Sequence, residues 1–474
     1  MSSAKLVQQQ LLFKQLMRWL SKNGAKFSNI YIEHYSETFR GIKVSKFIKK
    51  NSDIVKIPYR CIMSVKKAKE CEIGKIISES KYTPSNDHIW LSLFLLNEKK
   101  KGNQSFYKAY IDTLPKHFKD YPHFFLKKDY DILNGSLILN MIKSRKIELQ
   151  DDYHELKSNF PDFFKSISFG KYMWSRIAVI SRIFGSKNNE ESGFVPLADM
   201  LNHSTSPGTE WTFLEKDNFF VIKNNKPFFK SMEIFDTYGP KCNSRYFVNY
   251  GFTLPDNKEN TTQIFIDTKE IMSNPHSSCY QTKLDIIQSL DKKNFDNGYS
   301  GYSLLIGKKL EKKVTQQNKI RFQITRLQNT IHIYQLFGLL RIIYMNQYEI
   351  NQLKSICKNN NISQVLHAIP HLDMDREVNI LTVLKTICNK RLSEFSTTID
   401  NDRHKKQEQK EFSKEWNIYE SLISEKHVLM YYIQLADYVI DVYHLCEYKT
   451  QLFLKQLKKT EMGKDYLKFL KTKF

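Results

Sequence analysis

Two runs decide how this chain is read: Val195-Pro196-Leu197-Ala198-Asp199-Met200-Leu201-Asn202-His203, and Ile234-Phe235-Asp236-Thr237-Tyr238-Gly239-Pro240-Lys241-Cys242-Asn243 with its continuation Asn249-Tyr250-Gly251-Phe252. Between them Trp211-Thr212-Phe213-Leu214 and Phe219-Phe220-Val221-Ile222-Lys223 read as short strands separated by polar turns. The central region therefore reads as strands, over about 194–266.

Working outward on the N-terminal side, Leu12, Leu16 and Leu20 fall at helical spacing, and Asn23-Gly24 closes that helix. The segment Met1 to Leu20 reads as amphipathic and polar rather than as a secretory leader. Arg40 to Val44 and Ile54 to Pro58 are strand candidates around a turn at 49–53. Gly41 between them allows either a close backbone approach or a β-bulge, and spacing alone favours the bulge. From Asp87, a candidate cap, Trp90, Leu91, Phe94 and Leu95 share a helical face, and helix signals continue to about 184. After about 270 the chain reads as helical to its end, with stripes at Val378, Leu381, Leu384, Cys388 and Leu392 and at Leu429, Ile433, Ala436, Ile440 and Tyr443.

The 474 residues suggest two or three domains, and 41% hydrophobic content suffices for packed cores. The net charge of +23 comes from 73 basic residues, only 13 of them Arg. That Lys excess fits either solvated faces or a basic surface attracting an acidic or nucleic-acid partner. No basic block is long enough to decide, and no recognised nucleic-acid motif or stacking platform is legible, so nucleic acid is not an expected partner. The seven cysteines form no CxxC pair, so zinc-ligand spacing is absent, and an odd, scattered set points to reduced thiols inside a cell. The longest apolar stretch, Val428 to Leu445, carries Asp437 and Asp441, which argues against a membrane span.

The central stretch has no Gly-rich phosphate loop, no HExxH and no serine nucleophile elbow. Asp199, Asn202 and His203 lie within five residues, a cluster able to hydrogen-bond a small polar ligand. A lone histidine is more often structural than catalytic. Tyr238 and Tyr250 each precede a glycine; such residues are either core tyrosines with satisfied hydroxyls or the walls of a narrow channel.

Together these runs resemble the SET domain, and more narrowly the Rubisco large-subunit methyltransferase-like branch of SET proteins. The resemblance implies an α+β chain: a β-rich SET fold with a pseudoknot and a helical insertion, followed by an all-α C-terminal domain. Its expected bounds are an N-terminal helix at 1–26, a SET domain at 27–268 with its insertion at about 87–184 and core motifs at 194–255, and a helical substrate-binding domain at 269–474. By the same resemblance the cofactor is S-adenosylmethionine, approached by the strand backbone at Arg40 and Gly41 and held by Ser181, Arg182, Asp199, Asn202, His203 and Tyr250. Tyr250 matches the catalytic tyrosine, Tyr238 is the second catalytic candidate, and Tyr238 and Phe184 match residues of the substrate channel. The family's glutamate-glycine before the first cofactor strand is replaced here by Glu37-Thr38-Phe39-Arg40, so no glutamate role carries over. No metal is implied.

The expected function is protein-lysine methylation of a non-histone protein, such as a ribosomal protein or a translation factor, bound by the SET cleft and the C-terminal helices. The alternatives are a protein-histidine methyltransferase on the same fold and a non-catalytic binding scaffold. An apolar Phe184 and the presence of Tyr250 favour lysine. A monomer in the cytoplasm, with the nucleus as a second location, is the accompanying expectation.

Overall fold

The computed structural model describes residues 3–35, 39–186, 191–267, 279–280, 282–283, 286, 302–304, 319–325, 331–357, 365–366, 369–446 and 449–470. Glu37, Thr38 and the expected domain boundary at 268 lie outside the described residues. The chain forms two compact units, Met1–Phe124 with Arg145–Lys241, and Phe125–Ser144 with Cys242–Phe474.

The first unit opens with the helix Ser3–Lys22, which buries Phe13, Leu16 and Leu20. It ends where the Asn23 side chain donates to the Trp19 carbonyl at 2.8 Å and Gly24 turns to φ +87°. Eleven strands follow among the described residues of this unit. β1 (Lys26–Phe27), β4 (Asp53–Pro58), β10 (Phe219–Asn224) and β9 (Thr209–Leu214) form one antiparallel sheet, with Phe220 opposite Ile57 and Phe213. β2 (Ile30–His34), β3 (Arg40–Val44), β11 (Glu233–Asp236) and β8 (Asn202–His203) form a second, in which β8 and β11 run parallel. The third joins β5 (Met63–Ser64), β7 (Gly193–Phe194) and β6 (Ile183–Phe184). Ile42, Val55, Ile57, Phe194 and Phe220 share one buried core.

Gly41 is not a bulge. It pairs in regular register with Glu33, and a Cβ on it would lie 2.3 Å from Glu233 Oε1 and 2.9 Å from Asn202 Nδ2. Glycine stands there because two side chains press on the backbone. The helix Asp87–Lys101 is capped by Asn86 rather than Asp87. Asn86 holds the extended backbone that a cap requires, and its side chain accepts from the Ile89 N–H at 3.2 Å.

The second unit corrects two expectations. Residues 243–250 are a helix, not strand. Tyr246, Phe247 and Val248 are buried along it, and Gly251 ends it in the left-handed region at φ +79°. The C-terminal region is largely helical but not all-α. β12 (Thr261–Asp267), β14 (Lys319–Thr325) and β13 (Tyr302–Leu304) form an antiparallel sheet. Ile320, Phe322 and Ile324 alternate with Arg321 and Gln323, which is strand periodicity.

The helices Met374–Ser393 and Lys414–Leu445 carry both expected apolar stripes into the core of this unit. The polar segment after Asp400 lies in the helix Ile399–Gln407, capped by Thr398. Buried Glu425 accepts from the Leu137 N–H at 2.9 Å and from the Ser136 hydroxyl, tying 125–144 to the long helix. Arg341 pairs with Glu377 at 2.8 Å in the same interior.

Candidate active site

The candidate site of the first unit is built from four elements. The helix Phe169–Arg182 starts at Ser168, whose hydroxyl caps the Lys171 N–H, and ends on Arg182. That placement suits a cation, because the helix carbonyls point to the C-terminal end. Ser181 beside it turns inward and donates to the Ile177 carbonyl at 2.8 Å, within its own helix.

The run Val195 to His203 then presents Asp199 on the 3-10 turn Ala198–Met200. The residue before that turn, Leu197, is held at φ +73° although it is not a glycine, and its side chain is fully buried. Such a conformation costs about 1–3 kcal/mol and persists only where packing enforces it. Here it aims Asp199 inward. Arg182 Nη1 donates to Asp199 Oδ2 at 3.0 Å and to the Asp199 carbonyl at 3.1 Å, and the Tyr110 hydroxyl donates to the same Oδ2 at 2.9 Å.

Arg40, the first residue of β3, completes a cluster of two guanidinium groups around one carboxylate. Burial, and then the charge of Arg182, push Arg40 down to about 10, while Asp199 pulls it the other way. Arg182 is itself opposed by burial, but Asp199, Tyr110 and Tyr121 more than offset this and raise it. Arg40 Nε and Nη2, Arg182 Nε and Asp199 Oδ1 are all shielded from solvent without a hydrogen-bond partner. Orphaned buried donors of this kind are rare in folded proteins, and donors outnumber acceptors here. The cluster is arranged to receive an anionic, hydrogen-bonding ligand.

Asn202 lies across from it on β8. Its Nδ2 donates to the Arg40 carbonyl at 2.9 Å and to Glu233 Oε1 at 2.7 Å, and Tyr35 donates to the other oxygen of Glu233 at 2.6 Å. His203 serves as an acceptor. Its Nδ1 receives the Tyr238 N–H at 3.0 Å, and burial together with Lys241 pushes it down to about 4, so the ring is neutral at physiological pH. Tyr238 donates its hydroxyl to the Leu201 carbonyl at 2.8 Å. Phe184 packs edge-on against Trp211 and Phe220 at 5.3 and 5.0 Å. Asp236, opposite His203 in the parallel register, is buried, and burial raises its carboxyl to about 6.

The structure thus brings Arg40, Gly41, Arg182, Asp199, Asn202, His203 and Tyr238 into one unit. Ser181 is there too, engaged with its own helix. Tyr250 belongs to the second unit, where its ring stands 6.2 Å from Phe252 and 6.4 Å from Tyr246. Sequence reasoning gave Arg40 only a backbone role and gave Tyr110 and Glu233 none. Tyr110 and Asp199 are 89 residues apart, and no local spacing marks such a pair.

Residues 274–429 match the family described as Rubisco LSMT substrate-binding. Two crystal structures align over 97% of this chain and 99% of theirs at 20% identity. One is the SET domain of LSMT bound to MeLysine and AdoHcy, with a TM-score of 0.69, and the other is Rubisco LSMT bound to AdoMet, with a TM-score of 0.70.

The chain therefore has the SET fold. More particularly, it is a SET-fold chain carrying the Rubisco LSMT type of substrate-binding domain. Among curated relatives it is 31% identical over 217 residues to the ribosomal lysine N-methyltransferase set10 of Schizosaccharomyces pombe, covering 44% of this chain and 39% of that protein. It is 21% identical over 406 residues to the actin-histidine N-methyltransferase of Gallus gallus, covering 82% of this chain and 63% of that protein. The chain thus spans less than two thirds of the length of these relatives.

Proposed function

We propose that this chain is an S-adenosylmethionine-dependent protein methyltransferase that modifies lysine in a non-histone protein, with components of the translation apparatus the first substrates to try. The observation that carries the reading is the cluster of Arg40 and Arg182 around Asp199, with buried N–H donors left without a hydrogen-bond partner. The amino-acid end of S-adenosylmethionine presents the carboxylate such a cluster wants, and its sulfonium supplies the methyl group. Arg40 and Arg182 would hold the carboxylate, and Asn202 and the strand edge at Gly41 would line the remainder.

Methyl transfer to an amine is an in-line displacement, so the protein's work is alignment and exclusion of water. The accepting lysine must arrive neutral. Desolvation and the positive charge of a neighbouring sulfonium would both lower an ammonium pKa. Tyr238 and Tyr250 are the residues assigned to orienting the amine, with Tyr250 as the catalytic one.

Lysine is favoured over histidine by Phe184. An imidazole acceptor needs a partner for its second ring nitrogen, and leaving that group buried and unpaired costs about 1–3 kcal/mol. Phe184 sits among Trp211 and Phe220 and offers only hydrocarbon. The C-terminal helical domain is the proposed platform for the protein substrate, and the scattered thiols suit a cytoplasmic or nuclear enzyme.

The test is incubation of the purified chain with labelled S-adenosylmethionine and a cell extract, followed by mass spectrometry of the labelled protein. Methyl-lysine is the expected product. Methyl-histidine would reassign the acceptor, and calorimetry without heat on addition of the cofactor would remove the enzymatic reading.

A further inference from the structure

We propose that the tip formed by residues 46–50 and 226–230 is a docking surface for single-stranded RNA. Two segments far apart in sequence meet there through one antiparallel bridge between Ile48 and Phe228, whose backbone groups exchange hydrogen bonds at 2.9 and 3.0 Å. Ile48 and Phe228 point inward and are buried. The alternation of an extended chain turns their neighbours Phe47 and Phe229 outward. These two are 55% and 57% exposed, and their rings stand 5.4 Å apart at 48°. Two large aromatic rings side by side in water are not explained by the core, which the same bridge already fills from the other face.

The charge carried by the two segments is of one sign, with the exposed carboxylates of Asp53 and Glu210 standing opposite Lys223 in the sheet. Lys46, Lys49, Lys50, Lys223, Lys226 and Lys230 are all exposed, and neither 43–52 nor 219–232 contains a single Asp or Glu. An excess of lysine is what phosphodiester backbones select, and exposed rings beside it supply faces on which bases stack. The apolar part is confined to the two rings and the flanking, partly exposed Met232, which is small for a lipid-inserting face. The tip continues from the C-terminal end of β3 and the N-terminal end of β11, whereas Arg40 begins β3. Phe47 lies seven residues beyond Arg40, past the far end of β3. RNA on the tip therefore leaves the cofactor cluster open, and the proposal stands independently of the enzymatic reading.

The experiment is fluorescence anisotropy of the full chain with a labelled oligouridine of about 12 nucleotides, between about 50 and 200 mM salt. Binding is expected, and the double variant Phe47→Ala, Phe229→Ala should weaken it at least about tenfold with its salt slope unchanged. Replacing Lys46 and Lys230 by Gln should reduce the slope by about 1.4, while the same change at exposed Lys66 and Lys69 should leave it as it was. Three results overturn the proposal: no binding by the wild type, equal losses from the tip and control lysines, or binding to phosphatidylserine vesicles but not to RNA. An unchanged urea unfolding midpoint shows that the tip variants remain folded.

Discussion

Replacing Arg40 by methionine should make the ligand-free protein more stable and its cofactor site weaker. Arg40 is drawn from 12.5 to about 10, first by burial and then by Arg182. At roughly 1.4 kcal/mol per pH unit, keeping that guanidinium charged costs the fold about 3 kcal/mol. Methionine retains most of the aliphatic stem and removes both the repulsion and the two unpartnered donors. The loss is the stacking of the guanidinium over Phe13 at 5.1 Å, worth about 0.5–1 kcal/mol. A net gain of about 2 kcal/mol follows.

The sign is fixed by the direction of the shift. A base whose folded pKa is depressed carries its full penalty at every pH below the folded value, so the gain should be level from pH 5 to 9. Affinity should move the other way. Removing one of two cations from a buried carboxylate contact costs about 2 kcal/mol or more, close to 30-fold in Kd. Urea unfolding of the ligand-free protein and calorimetry with S-adenosylmethionine measure the two effects. A lower urea midpoint with unchanged Kd would refute the argument and make Arg40 a purely structural residue.

Gly41→Ala should weaken cofactor binding at least about tenfold, because the new Cβ displaces Glu233 and Asn202; equal affinity in calorimetry would mean that this strand edge is not part of the site. Tyr250→Phe should lower turnover about tenfold or more with cofactor Kd nearly unchanged, and an unaltered kcat would return Tyr250 to a packing role. Phe184→Asn should open activity on histidine-containing peptides, scored by mass spectrometry, at the expense of stability lost from the Trp211 and Phe220 contacts. Asp236→Asn should stabilise the protein at pH 7 and not at pH 3.5. Burial raises the Asp236 carboxyl from 3.8 to about 6, so the folded state holds its proton between those values and is penalised by about 3 kcal/mol above them. Equal urea midpoints of variant and wild type at pH 7 would contradict this.

Much of the site was legible because its residues lie in short runs. Asp199, Asn202 and His203 fall on one turn and the strand after it, so spacing alone grouped them. Arg182 was found only through resemblance, and the side-chain role of Arg40 not at all, since burial and like-charge proximity are properties of the fold. Gly41 illustrates the limit well. A glycine between strand-like runs reads as a bulge until Glu233, brought in by β11, shows why a side chain cannot stand there. β12 fell at the end of the expected strand region, but its partners β13 and β14 went unread because Lys319 to Thr325 is short and charged and sits in a region of helical stripes. The sheet's presence changes how truncation should be interpreted: a chain cut after residue 268 would leave β12 without the partner that pairs with it along its whole length.

The clamp between Glu425 and the pair Ser136 and Leu137 also has a consequence for biosynthesis. The partners are 289 residues apart. At about 5–20 residues per second, a ribosome makes the earlier half of the clamp roughly 15–60 s before the later half exists. Throughout that interval Leu133, Ile138 and Ile142, which end up in the second unit's core, have no core to enter. The nascent chain must carry this apolar segment exposed while residues 145–241 of the first unit are synthesised after it. The order of synthesis thus places a vulnerable step of maturation in residues 125–144.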